Sequence, residues 1–302
     1  MEGESVLTEF DVVMFDCDGV LYQSNQVLEG AIETVSALRD RNVQVKFVTN
    51  SSTKSREKLF DKLRDMGFES IKIDDCYTSG FCAAQYLGLH LPDVRKVYVI
   101  GEEGLVKELQ RVGLEVVGGP QDNEKHMNDA LFIKLGDSGE FENIDAVVVG
   151  YDQSFNYYKL AVASLCFQQN RNCILIATNQ DQHDRIGGKW LIPVNGCGVA
   201  AVVHAVNNLD GQRGPVEPLV FGKPNALFGK LVLETSGLSD VPPERVLMVG
   251  DKIETDIQLA RNCGFKSCLV LSGCVKGEDL KGERPADIVL NGLFDVANVL
   301  NR

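Results

Sequence analysis

The sequence predicts an α/β fold, a parallel sheet assembled from βαβ units, on three observations. Apolar runs rich in β-branched residues alternate with helix-patterned segments along the chain. The runs are short and apolar throughout, the pattern of strands buried on both faces. Several of them end on polar residues suited to catalysis, at the carboxyl edge where open parallel sheets bind ligands. With 302 residues and 44% hydrophobic composition, the chain can bury one large or two medium cores.

Taken in order, the first run is Val12-Val13-Met14-Phe15, leading into Asp16. A helix is expected over Gly30 to Arg41, then a strand over Val43 to Val48. A second helix is expected from Ser55 to Gly67, where glycine suits a helix end. A strand at Val97 to Ile100 and a helix at Glu103 to Arg111 follow. Gly118 to Gly139 is polar and weakly periodic and reads as irregular. Later strands are expected at Ala146 to Val149, Cys173 to Ala177, Leu219 to Phe221, Val246 to Val249 and Ser267 to Leu271. Between them, Asn208 to Pro218 is rich in Gly and Pro and reads as a domain boundary.

The formal net charge of -13 repels phosphate backbones, so general nucleic-acid binding is not expected. The opening MEGESVLTEF carries neither a basic nor an apolar leader region, and no apolar run approaches the ~18 residues of a bilayer span. The expectation is a cytoplasmic protein with no membrane partner. Nine cysteines are scattered without a Cys-x-x-Cys pair, which suggests free thiols and no structural zinc.

The chemistry collects at strand ends. Val12 to Phe15 runs into Asp16-Cys17-Asp18-Gly19, and Val43 to Val48 into Thr49-Asn50-Ser51-Ser52. Leu219 to Phe221 runs into Gly222-Lys223, and Val246 to Val249 into Gly250-Asp251. Each fragment alone has a plain structural explanation: a turn, a helix cap, a loop. Four in this order, delivered to one sheet edge, argue for a single site. Asp16, Asp18 and Asp251 offer hard oxygen ligands, which suit Mg²⁺. Such an ion offsets the repulsion between a carboxylate nucleophile and a phosphate, and Lys223 adds a second positive charge. Thr49 to Ser52 offers hydroxyls and backbone N–H groups for phosphate oxygens. Asp16 can accept a phosphoryl group, and Asp18 can act as acid and then base.

These residues resemble the motifs of the haloacid dehalogenase (HAD) superfamily. FDCDGV is similar to its first motif, with Asp16 as nucleophile and Asp18 as acid/base. VTNSS resembles the second, with Thr49 on phosphate; GKP supplies the lysine, Lys223. GDKIETDI resembles the fourth, with Asp251 a metal ligand and Asp256 supporting the metal site. The resemblance implies a Rossmann-like parallel-sheet core with an inserted α/β cap. VYVIGEEGL, VVVGYDQSFNYYKL, IATNQDQ and VNGCGVAAV resemble the cap of the NagD-like branch, which includes p-nitrophenyl, phosphoglycolate and pyridoxal phosphate phosphatases. On that basis residues 1–92 and 218–302 form the core and 93–217 the cap. The implied protein is a Mg²⁺-dependent phosphatase of small phosphomonoesters, dimerising through the cap. Phosphoglycolate is the preferred substrate class and pyridoxal phosphate the alternative. The implied metal set is Asp16, Asp18, Asp251 and Asp256. Asn50, Ser51 and His183 join Thr49 and Lys223 as substrate-binding candidates, His183 from a specificity loop spanning Gln182 to Trp190. Pro193-Val194-Asn195 departs from the Pro-Gly pair many relatives carry there.

Three other readings compete. A C–halogen hydrolase needs no Mg²⁺ cluster, and Asp18 and Asp251 argue against it. A receiver-type phospho-accepting module is shorter and lacks the Asp-x-Asp spacing. Gly196-x-Gly198-x-x-Ala201 partly matches a dinucleotide fingerprint but has no N-terminal βαβ unit around it.

Overall fold

Val12–Asp16 is buried at every position because it lies between two parallel strands. Gln44–Thr49 pairs on one side, with Asp16 opposite Val48, and Val246–Gly250 pairs on the other, with Phe15 opposite Val249. This computed structural model describes residues 9–186, 189–207, 209, 214–273 and 285–300. Within them the chain forms two compact units. The first comprises residues up to Thr49, Arg56–Tyr77 and Lys223 onward; the second comprises Asn50–Ser55 and Thr78–Gly222.

The first unit is built on a six-stranded sheet. Its order is Ile288–Leu290, Lys266–Val270, Val246–Gly250, Val12–Asp16, Gln44–Thr49, Cys76–Thr78. Every second residue of the central strands, Val13 and Phe15 among them, faces one core with Phe47, Leu247 and Val249. Helix Ala31–Asp40 closes that core with Val35 and Leu38. Gly30 precedes it at φ +79°, and a Cβ there would lie 2.4 Å from the Phe294 Cα. Helix Leu293–Leu300 therefore packs backbone-close, and the Thr34 hydroxyl donates to the Leu293 carbonyl at 3.1 Å.

The second unit holds a parallel five-stranded sheet, ordered Leu219–Val220, Ile174–Ala177, Ala146–Val149, Lys96–Ile100, Glu115–Gly118. Its core includes Tyr98, Ile100, Val147, Val149, Val162 and Leu175. Helices Ser79–His90 and Tyr157–Gln169 begin on capping side chains, Thr78 accepting from the Phe81 N–H and Asn156 from the Lys159 N–H.

The expected strands and helices of the first unit form within a residue or two of their predicted ends. Three expectations change. Gly118 to Gly139 is not irregular: it holds a 3₁₀ turn at Gly119–Asp122 and a helix at Asp129–Ser138, capped by Asn128 and closed by Gly139 in the left-handed region. No residue of that helix is fully buried, so it carries little apolar periodicity to read. Gln182 to Trp190 is mainly an antiparallel hairpin, His183–Ile186 with Trp190–Pro193; Gly187 and Gly188 lie outside the described residues. Leu219–Val220 pairs with Ile174–Ala177, so the strand before Lys223 belongs to the second sheet and not to the first. The chain passes between the units at 49/50, 55/56, 77/78 and 222/223. Helix Ser79–His90 packs closely within the second unit: Cβ atoms on Gly80 and Gly88 would lie 3.4 Å from Leu105 and 3.2 Å from Val112. Most of Asn208 to Pro218, the predicted boundary, lies outside the described residues or carries no regular element.

Candidate active site

Four of the predicted residues meet at the carboxyl edge of the first sheet. Asp16 ends its strand and is buried; Asp251 directly follows Val246–Gly250 and is 1% exposed. Asp256 sits on a single π-helical turn, Ile253–Ile257, a feature that often marks functional positions. That turn directs Asp256 back at its own strand end, and it is completely buried. Its Oδ2 accepts from the Lys252 N–H at 3.1 Å. Lys223, 3% exposed, donates through Nζ to Asp16 Oδ1 and lies 2.6 Å from Asp256 Oδ1. One carboxylate oxygen from each of Asp16, Asp251 and Asp256 lies within 4.8 Å of the other two.

Three glycines make room for this packing. A Cβ on Gly250 would lie 2.1 Å from the Asp256 Cβ. Cβ atoms on Gly19 and Gly273 would lie 2.4 Å and 2.1 Å from Asp251 Oδ2. Gly19 also adopts φ +84°, open chiefly to glycine. The Ser272 hydroxyl donates to the Gly19 carbonyl at 2.9 Å, so the loops after two strands close around Asp251.

The electrostatics follow from burial. Desolvation pushes Asp16 up to about 8, with Asp256 and Asp251 adding to the rise and Lys223 opposing it. Burial acts to depress Lys223, but Asp16 and Asp256 overcome it and hold the ammonium above its ordinary range. Three carboxylates against one ammonium leave two formal negative charges when all are ionised, a costly state without water. An all-oxygen, doubly negative cluster cleared by glycines fits a hard divalent cation such as Mg²⁺. Burial drives the Cys17 thiol well above its usual range, so this neighbour of Asp16 is a poor nucleophile.

The other predicted residues lie elsewhere. Asp18 is exposed, and the three-oxygen cluster forms without its carboxylate. Thr49 is buried at the end of the strand beside that of Asp16. Asn50 and Ser51 group with the second unit, where the Asn50 amide donates to Asp181 at 3.0 and 3.1 Å and the Ser51 hydroxyl lies 3.3 Å from that of Thr53. His183 is exposed on the second unit's hairpin.

A family model described as haloacid dehalogenase-like hydrolase matches residues 13–115, and a second HAD-like hydrolase model matches 220–296. Phosphoglycolate phosphatase 2 of Arabidopsis thaliana is 37% identical over 281 residues, covering 92% of this chain and 88% of its own length. The chain is a haloacid dehalogenase-like hydrolase. Glycerol-3-phosphate phosphatase of Rattus norvegicus is 35% identical to this HAD-like hydrolase, covering 93% of this chain and 85% of its own. Among solved structures, 4-nitrophenylphosphatase from Thermotoga maritima superposes with a TM-score of 0.76 at 28% identity, covering 97% of this chain and 98% of that one. The HAD-like hydrolase falls in the NagD-like branch that the motifs suggested, and it is a phosphomonoester hydrolase. The receiver and dehalogenase readings give way.

Sequence reasoning missed several supports of the site. Gly19, Gly250 and Gly273 matter through the space they leave, a signal that a strand-end glycine gives only weakly. Gly196 has the same explanation and not a dinucleotide one: a Cβ there would lie 2.5 Å from the Gln180 carbonyl and 2.7 Å from that of Asp181. It opens helix Asn195–Val206 against the chain's own backbone.

Proposed function

We propose that this HAD-like hydrolase cleaves small phosphomonoesters, phosphoglycolate foremost, through an aspartyl phosphate on Asp16. The observation that best supports this reading is the buried constellation of Asp16, Lys223, Asp251 and Asp256 at one sheet edge. A carboxylate oxygen of Asp16 bonds to phosphorus as the bond to the ester oxygen breaks. Asp18 gives its proton to the departing alkoxide. It then takes a proton from the water that attacks phosphorus, so that inorganic phosphate leaves and Asp16 is restored. Lys223, in contact with Asp16, offsets negative charge at the nucleophile. Thr49, Asn50 and Ser51 bind phosphate through hydroxyl and backbone N–H groups. Mg²⁺ is the cofactor this reading calls for, held by Asp16, Asp251 and Asp256, with any share of Asp18 resting on the family resemblance. When bound, it supplies charge neutralisation for the carboxylate and the phosphoryl oxygens.

The names of the relatives favour short aliphatic substrates, phosphoglycolate and glycerol 3-phosphate. The second unit is read as the cap, and His183, exposed on its hairpin, is kept as a substrate-binding candidate on the family resemblance. Ile186, Trp190 and Leu191 on that hairpin are exposed apolar residues, and they support a homodimer contact. No helix among the described residues is long and apolar enough to cross a membrane. The eight described cysteines are all free thiols, in keeping with a reducing cytoplasm.

The test is hydrolysis of p-nitrophenyl phosphate, phosphoglycolate, glycerol 3-phosphate and pyridoxal phosphate, with Mg²⁺ and with EDTA. Turnover should require Mg²⁺ and should fall at least about 10³-fold in Asp16→Asn, with the fold intact. Activity that survives either EDTA or that substitution would overturn the mechanism.

A further inference from the structure

The edge of the second sheet where a ligand would ordinarily sit is filled by the chain itself. Its strands run out at Gly101, Gly150, Thr178-Asn179 and Phe221-Gly222, and residues 50–55 pack with that unit. A Cβ on Gly150 would lie 2.9 Å from the Ser52 Oγ, and one on Gly104 would lie 2.4 Å from the Thr53 carbonyl. The Tyr151 N–H donates to Ser52 Oγ at 3.0 Å. Asn50 is held by three separate residues. Its backbone carbonyl accepts from Ser79 Oγ at 2.7 Å and from Asn179 Nδ2 at 2.8 Å. Its side-chain amide donates to both carboxylate oxygens of Asp181. Asn179 is fixed in turn: its Oδ1 accepts from the Asp181 N–H at 3.1 Å, and its carbonyl accepts from the buried Asn195 amide at 2.7 Å.

Peptide geometry turns this clamp into a statement about a donor. The Asn50–Ser51 peptide is trans and planar, so its N–H points opposite to its C=O. With the carbonyl drawn into the Ser79–Asn179 pair, the Ser51 N–H is turned away from that network. Flipping the peptide would break both accepting bonds.

We propose that Ser79, Asn179 and Asp181 are positioning residues that fix the Asn50–Ser51 peptide so that the Ser51 N–H is presented to phosphate. This rests on reading Thr49 to Ser51 as the phosphate-binding loop. A donor set that is fixed before the reaction stabilises a phosphate-like anion without reorganising, whereas one free to flip does not.

The experiment uses the full chain with Mg²⁺ and compares Asn179→Asp, Ser79→Ala, Asp181→Asn and Thr49→Ala. Asn179→Asp keeps the shape and the acceptor for the Asp181 N–H. It sets a carboxylate oxygen against the Asn50 carbonyl where a donor stood. The expected result is a fall of about 100-fold in kcat/KM for p-nitrophenyl phosphate and a rise of about tenfold in the inhibition constant of orthovanadate. Ser79→Ala and Asp181→Asn should move both values the same way by less. A purely structural role would lower the melting temperature and the active fraction but leave orthovanadate affinity unchanged. Unchanged orthovanadate inhibition in all three variants, beside weakened inhibition in Thr49→Ala, would overturn the clamp while keeping the loop. Unchanged inhibition in Thr49→Ala as well would remove the loop reading, and the clamp with it.

Discussion

Lys223→Met removes one ammonium from a cluster of three buried carboxylates while keeping an apolar stem. The Nζ lies 2.6 Å from Asp256 Oδ1. At an effective dielectric of about 20, that separation corresponds to roughly 6 kcal/mol of attraction. The variant also avoids the cost of burying the lysine, so the net loss should be about 3–5 kcal/mol, the range for breaking one side of a buried ion pair. The loss should depend on pH in a defined direction. Asp16 titrates at about 8 in the folded chain against an ordinary 3.8, so between those values the folded form holds the extra proton. A carboxyl group raised in this way lowers stability as pH rises through the folded value. Without metal, the deficit of Lys223→Met should therefore be larger at pH 9, where Asp16 is ionised, than at pH 6, where it holds a proton. Urea unfolding in EDTA at the two pH values measures this directly. Excess Mg²⁺ should narrow the gap at pH 9 by returning positive charge to the carboxylates. A variant as stable as the parent at pH 9 in EDTA would refute the view that Lys223 compensates buried charge.

Asp152→Ala should cost about 3–5 kcal/mol in urea unfolding, because Lys159 is completely buried and pairs with Asp152 at 2.6 Å; a loss below about 1 kcal/mol would count against an ionised pair there. At the edge of the first sheet, burial acts to raise Asp287, but hydrogen bonds from the Ser267 hydroxyl and N–H outweigh it and hold its carboxyl below 3.8. That contribution is present above 3.8 and is lost as pH falls through the lowered folded value. Ser267→Ala should therefore flatten the acid limb of the stability–pH curve, and an unaltered limb would contradict the assignment.

What the sequence made legible was whatever lies along the chain. Val12 to Phe15 and Val246 to Val249 read as strands because parallel strands buried on both faces are apolar throughout. Asp16, Lys223 and Asp251 could be gathered because each sits at or just beyond a strand end, and Asp256 joined them only through the resemblance of GDKIETDI to a family motif. What remained hidden depended on distant partners. Nothing local in Leu219–Val220 says which sheet it joins, because a two-residue strand encodes little about its neighbour. Thr49 and Asn50 read as one loop, yet Asn50 is bonded to Ser79, Asn179 and Asp181, which are far away in sequence. Helix Ser79–His90 is buried around most of its girth, so its sequence lacks a polar face to announce it. The Gln182 to Trp190 hairpin does carry a local sign, the Gly187-Gly188 pair between two strand-like runs.

The division of the first unit along the chain bears on how the protein is made. Asp16 is synthesised first, Lys223 follows 207 positions later, and Asp251 and Asp256 come later still. Between them the ribosome must release the whole of the second unit. Until Val246–Gly250 emerges, one edge of the Val12–Asp16 strand has no neighbour, leaving a row of unpaired N–H and C=O groups, flanked by apolar side chains, able to pair with another chain. The nascent chain therefore carries this unpaired edge while the whole of the second unit is made. The grouping of Asp16, Lys223, Asp251 and Asp256 assembles only after the second unit has been made, and a chain broken off anywhere in the second unit is born without it.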